Sequence, residues 1–318
     1  MCGADVMRQI DYGTSPGLPV GDANPYVRRT GPNGTIQISG DPEAERRSMA
    51  GRAFSRRNMF RFSGATGIAA ALSMLPTGVA AHADTSGVLT GRVKDLTHTI
   101  SPDFPYFHPT MEQPLFEQTH TIEEHGFDSY SVTLGEHLGT HIDAPSHFVR
   151  GGATIDEMPV ESLVAPLCVL RIADRAAEDP DTVVTVGDIR AHERRYGAIP
   201  NGAFVAMDSG WAARVDVPDA FLNEGSDGLF HWPGFSPEAS AYLVERRSIV
   251  GAGVDTTGLD QGIAEAPDAH QILLPAGLYA VECLNNLDTV PSRGATIVVG
   301  APKNRGGSGG QVRVFAFV

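Results

Sequence analysis

The sequence predicts a single α/β domain with a predominantly β core and flanking helices. Three observations carry this. Short runs rich in β-branched and aromatic residues recur between 93 and 317, bounded by Gly, Pro, Asn and Asp. Helical patterns are few and fall in the later half of the chain. The segment 84–318 is about 235 residues, enough for one domain with a full core.

The elements follow in order. Strands are expected at 93–100, 129–134, 137–148 and 168–172. A helix over Val186–Tyr196 begins after a Thr185 cap and stops at Gly197. A strand at 203–207 precedes a helix over Pro237–Arg246, which has Ser236 as N-cap, Pro237 at the first position and arginines in its last turn. A strand at 249–254, a short helix at 268–274, and strands at 279–283, 296–299 and 312–317 complete the domain. The glycines of 306–310 read as a flexible connection, and no Gly-Lys-Ser/Thr follows to make them a phosphate cradle.

Ahead of this domain, residues 1–54 read as a disordered or untranslated leader, with Met49 as an alternative start. Residues 55–83 read as a twin-arginine signal: Arg56-Arg57, an apolar run rich in Gly, Ala and Thr, and a small-x-small site at Ala81-His82-Ala83. The run is about 18 residues and contains Pro76, a poor bilayer span. The expectation is therefore export to the periplasm or beyond the cell, without stable membrane insertion after cleavage. Residues 1–83 hold nine arginines against six acids, and 84–318 holds 15 basic and 32 acidic residues, a net charge of −17. So acidic a domain argues against nucleic acid or anionic membrane as partner. Cys168 and Cys283 lie in separate apolar runs and read as buried thiols.

The chemistry concentrates in His137-Leu138-Gly139-Thr140-His141-Ile142-Asp143-Ala144-Pro145-Ser146-His147. In an extended strand, residues two apart share a face, so His137, His141 and Asp143 converge, with Gly139 leaving room for an ion. His and Asp are common ligands of zinc and manganese. A helix would also pair His137 with His141, but Gly139, the β-branched Thr140 and Ile142, and Pro145 disfavour one. Further along, a polar loop follows 249–254, then His270, and then Glu282 inside an apolar strand. His270 alone reads equally as a solvent-facing helix residue. A carboxylate within such a strand needs a partner, either a metal or an ion pair with Arg293.

The stretch from His137 to Phe148 resembles the signature of the cyclase family, which includes bacterial kynurenine formamidases and isatin hydrolases. Phe230-His231-Trp232-Pro233-Gly234-Phe235-Ser236, Val254-Asp255-Thr256, His270, Glu282, Asn286-Leu287 and 307–313 resemble its later motifs in the same order. The resemblance implies a swivelling β/β/α fold, usually oligomeric. It implies His137, His141 and Asp143 as ligands of a first zinc or manganese ion. Asp143 then bridges to a second ion held by His270 and Glu282, with His147 as general acid/base; relatives like isatin hydrolase use one manganese. Two positions depart from the family. Ser209-Gly210-Trp211 stands where Thr-Gly-Trp is common, and Glu282-Cys283-Leu284 where Glu-Asn-Leu is common.

The function so implied is hydrolysis of an amide C–N bond in a small aromatic formamide or lactam. A divalent ion lowers the pKa of bound water from about 15.7 to about 7 and polarises a carbonyl. Ser209 lacks a nucleophile elbow, so it is not the attacking group. Phe107, Ser209, Trp211 and Trp232 are candidates to bind the substrate, with Phe104 and Tyr106 nearby. A lactone or imide hydrolase would use the same residues on another carbonyl. An exported binding protein without turnover would lack the acid/base histidine, and His147 is present.

Overall fold

The computed structural model describes residues 91–217 and 219–318, together with the backbone of two short strands. Those two, β1 (Val27–Arg29) and β2 (Ile36–Ile38), pair antiparallel and belong to a separate unit, Met1–Ala81. The leader at 1–54, those strands apart, and the signal at 55–83 lie outside the described residues. The second unit, His82–Val318, holds the remaining described residues.

Strands β3 (Val93–Asp95), β6 (His141–Asp143), β7 (Val164–Arg171), β9 (Phe204–Asp208), β11 (Gly251–Val254), β12 (Tyr279–Glu282), β13 (Ala295–Gly300), β14 (Gly309–Gln311) and β15 (Arg313–Phe317) form one nine-stranded sheet. Its order is β14-β6-β12-β11-β9-β7-β13-β15-β3. The central strands β12, β11, β9 and β7 run parallel, and all other neighbours antiparallel. Only Val312 separates β14, at one edge, from β15, next to last at the other. The sheet must therefore curl until its two ends approach, and an isolated bridge joins Thr97, just after edge strand β3, to Leu284, just after β12.

Side-chain alternation gives the curled sheet two apolar faces. Ile142, Leu167, Val169, Phe204, Val281, Ile297 and Val314 share one cluster, although their strands are spread across the sheet. Residues so placed can meet only inside the curl. The alternate positions Cys168, Leu170, Val205, Met207, Val254 and Ala280 pack outward against helices. Those helices are α3 (Val186–Tyr196), α4 (Pro237–Arg246) and α5 (Asp268–Leu273), which contribute Ile189, Leu243 and Leu273. Asp143 pairs with Ala280 and His141 with Glu282, so His141, Asp143 and Glu282 all face the helix side.

The expected α/β domain with a β-dominated core is the one observed. The Thr185 cap forms a full capping box with Asp188, worth about 1 kcal/mol, and Ser236 caps α4. Among the described residues both cysteines, Cys168 and Cys283, are buried and free. Among the described residues no helix is long and apolar enough to cross a membrane.

Several elements differ from expectation. Helices α1 (Ile122–His125) and α2 (Ala173–Glu178) lie earlier than any predicted. Strand β4 (Leu115–His120) pairs with β5 (Ser129–Thr133) as a separate ribbon, and β8 (Val183–Val184) pairs with β10 (Gly234–Phe235). The glycine connection at 306–310 runs into β14, because pairing with β6 supplies what the side chains do not. The largest difference is at 137–148, where only His141–Asp143 is strand. Gly139 has φ +66°, which turns the chain out of extended conformation before β6. Pro145 opens a 3₁₀ turn at Pro145–His147 that ends the strand on the other side. A methyl group at Gly139 would lie 2.8 Å from Cδ1 of Ile100. Gly139→Ala should therefore lower stability by more than about 1 kcal/mol, read by urea denaturation; unchanged stability would show that this turn tolerates a side chain.

Candidate metal centre

Strand β6 places His141 and Asp143 on the helix-side face, and β12 brings Glu282 beside them. The turn before β6 returns His137, and the 3₁₀ turn after it returns His147. Their rings stack with centroids 3.8 Å apart. Helix α5 supplies His270 from above the sheet.

Asp143 is the hub. Its Oδ1 lies 2.6 Å from Nδ1 of His137 and 3.2 Å from Nε2 of His141, and its Oδ2 lies 3.5 Å from Nε2 of His270. Glu282 closes the group: Oε1 is 3.0 Å from Nε2 of His270 and Oε2 is 3.5 Å from Nε2 of His141. Candidate ligand atoms of His141, Asp143 and Glu282 lie within 4.8 Å of one another, as do those of His137, Asp143 and His147, so Asp143 belongs to both triplets.

Three of the four imidazoles are oriented by their other nitrogen. Nδ1–H of His141 donates to the Gly139 carbonyl at 2.8 Å, turning Nε2 to the carboxylates. Ser308 donates its hydroxyl to Glu136 at 2.7 Å, so it accepts from Nε2–H of His137 at 3.0 Å. Nδ1 of His270 lies 2.5 Å from Oδ2 of Asp260. Leu259 N–H donates to Oε1 of Glu282 at 2.8 Å. Gly309, paired with Asp143, makes room for this packing, since a Cβ there would sit 2.6 Å from Cε1 of His137.

The donor set fits a divalent cation. His141 and Asp143 are each 1% exposed, yet Nε2 of His141 and Oδ2 of Asp143 have no hydrogen-bond partner. Leaving such buried polar atoms unmatched costs about 1–3 kcal/mol each. An ion among imidazole and carboxylate donors satisfies both, and these are ligand types of zinc and manganese. The charges point the same way. Burial alone would raise the Asp143 pKa, but His141, with the His137 and His270 rings beside it, holds it well below the carboxylate range. Burial would lower His141, but Asp143 and Glu282 outweigh it and raise it to about 9. His270 is likewise raised, against burial, by Asp143, Asp260 and Glu282. His147 goes the other way, to about 4: burial and the neighbouring imidazoles keep it neutral despite Asp143.

The six residues read from sequence as ligands or acid/base, His137, His141, Asp143, His147, His270 and Glu282, therefore meet in one cluster. His137 arrives from a turn, and the space credited to Gly139 is filled by Ile100; Gly309 provides the room instead. Arg293 does not pair with Glu282; its guanidinium donates to the Tyr196 carbonyl.

Two of the four substrate-binding candidates need correction. Trp211 is fully buried, with Nε1–H donating to the Phe221 carbonyl. Ser209 is buried too, and its N–H and hydroxyl, with Trp211 N–H, donate to the buried Asp255. These residues support the structure rather than line a pocket. Phe107 and Trp232 meet edge to face at 5.9 Å. Phe104 and Tyr106 instead line a separate cleft of about 1080 Å³ that contains no member of the cluster. Sequence reasoning missed Glu136, Asp260, Ser308 and Gly309. Glu136 adjoins the motif and the last two fall within the 307–313 stretch, so proximity could have pointed to three of them; Asp260 carries no local signal.

Comparison with known proteins agrees with this geometry. The Cyclase family model matches residues 94–261. Isatin hydrolase of Roseibium aggregatum is 34% identical over 252 residues, which cover 73% of this chain and 94% of that protein. Kynurenine formamidase of Salinibacter ruber is 25% identical over 206 residues, covering 63% of this chain and 85% of that protein. The structure of isatin hydrolase A from Ralstonia solanacearum aligns with a TM-score of 0.68 at 36% identity, over 71% of this chain and 92% of that one.

Because Asp143 and Glu282 raise the proton affinity of His141 and His270, a cation must compete with protons for them. Metal uptake near pH 7 should release protons, and affinity should fall as pH drops. Calorimetry in buffers of different ionisation enthalpy measures this; uptake without proton release would contradict the site.

Proposed function

Because the chain belongs to the cyclase family, we propose that it is a metal-dependent hydrolase cleaving the amide C–N bond of a small aromatic amide, either an aryl formamide such as N-formylkynurenine or a lactam such as isatin. One observation carries the reading: a buried carboxylate, Asp143, ringed by His137, His141 and His270, with a neutral imidazole, His147, against the ring of His137.

His137, His141, Asp143, His270 and Glu282 would hold zinc or manganese, as one ion or as two sharing Asp143. When bound, such an ion supplies Lewis acidity, bringing the pKa of coordinated water to about 7 and polarising a carbonyl. The protein's own residues do the rest. Asp143 and Glu282 fix negative charge where cations gather. His147, kept neutral by burial, accepts a proton during attack and returns it to the leaving nitrogen, a role worth about 10²–10⁴-fold. Phe148, stacked on His270 at 4.8 Å and partly exposed, offers an aromatic surface to a flat substrate.

The features of residues 55–83 support export by the twin-arginine route, with cleavage after Ala83 and a periplasmic or extracellular destination. Exposed Leu115, Phe127, Tyr130 and Val132, on or beside the β4–β5 ribbon, support a homo-oligomer.

Protein spanning 84–318 should hydrolyse aromatic formamides or lactams in preference to lactones and imides, and chelation should abolish turnover. His141→Ala should lose metal. His147→Ala should keep metal while kcat falls about 10²–10⁴-fold. Metal analysis with a proton-release assay over that substrate panel checks both; full activity in both variants would overturn the assignment.

A further inference from the structure

Asp260 stands outside the cluster but controls one of its members. It lies in the loop after β11, with its side chain 13% exposed. Helix α5 starts at Asp268 behind Pro267, which provides no side-chain cap. Asp260 supplies the missing acceptor from eight residues upstream: Oδ1 accepts Ala269 N–H at 2.6 Å. Its other oxygen, Oδ2, faces Nδ1 of His270 at 2.5 Å. Its backbone carbonyl accepts Nε1–H of Trp232 at 2.9 Å, which anchors the loop. The preceding residue, Leu259, donates to Glu282. One dipeptide thus holds a carboxylate and an imidazole of the cluster.

We infer that Asp260 is a positioning residue that keeps the proton of His270 on Nδ1 when a cation displaces the one on Nε2, leaving the Nε2 lone pair free for an ion held between it, Asp143 and Glu282. The inference rests on the metal-dependent reading above. A carboxylate is required by the geometry, because both oxygens face donors. In Asp260→Asn, the amide oxygen must turn to Ala269, since a backbone N–H has no alternative to donating. The NH₂ then faces Nδ1 of His270 and can donate only to a bare nitrogen. His270 is driven to the Nε2–H tautomer, and a proton occupies the position that a metal needs. A role confined to capping α5 makes the opposite prediction, because asparagine keeps the cap.

The test measures zinc affinity by chelator competition in wild type, Asp260→Asn and Asp260→Ala, after circular dichroism confirms the fold of each. Imidazole ¹⁵N NMR of zinc-loaded wild type accompanies it. Both variants should bind zinc about 10–100-fold more weakly, and wild type should show His270 protonated at Nδ1. Zinc binding by Asp260→Asn at wild-type affinity would overturn the inference. So would a bare Nδ1 on His270 in the loaded wild type, a readout that needs no variant to fold. A wild type that takes up no zinc or manganese would overturn the metal-dependent reading itself, which separates the two failures.

Discussion

A carboxylate sealed inside a protein must meet positive charge, and the arrangement around Asp143 follows from that constraint. Strand β6 is too short to hold position alone. It is gripped on one side by β12 and on the other by β14. That grip fixes Asp143 on the helix side of the sheet, and the opposite face of the same strand buries Ile142 inside the curl. Displacing the carboxylate would also displace core packing, so the hub is as rigid as the sheet.

The imidazoles come from three kinds of structure, and each has its own means of support. His141 is held by the turn at Gly139, His137 by Ser308 and Glu136, and His270 by Asp260. None of the three depends on another for orientation. This division suits a site in which the carboxylate is shared and the surrounding ligands must stay in place whether or not a cation is present. His147 differs from them. It stacks on the ring of His137, within 4.8 Å of the carboxylate, and its neutrality follows from burial among imidazoles that outweighs Asp143. A neutral imidazole beside the cluster is what an acid/base group requires.

Much of this was legible in the residues. The odd-numbered spacing of His141 and Asp143 on a strand, the carboxylate inside an apolar run at Glu282, and the capped helices all rest on local rules that the structure obeys. Other parts were not, because their causes are long-range. Nothing near His137 says that its ring will lie over Gly309, since that contact depends on β14 pairing with β6. The glycine stretch has weak intrinsic preference, and the sheet edge decides its conformation. Ser209 and Trp211 look like pocket residues until Asp255 is seen to claim their polar groups. Asp260 is one acid among many in sequence, and it gains a role only when the loop folds back on α5.

The central claim is that a cation belongs at the carboxylate of Asp143. The most direct measurement is anomalous diffraction from crystals of the protein grown or soaked with manganese. The account predicts anomalous density within coordination reach of Asp143, with His141 among the other ligands. Density confined to other carboxylates, or none in crystals that diffract well at the manganese edge, would contradict it.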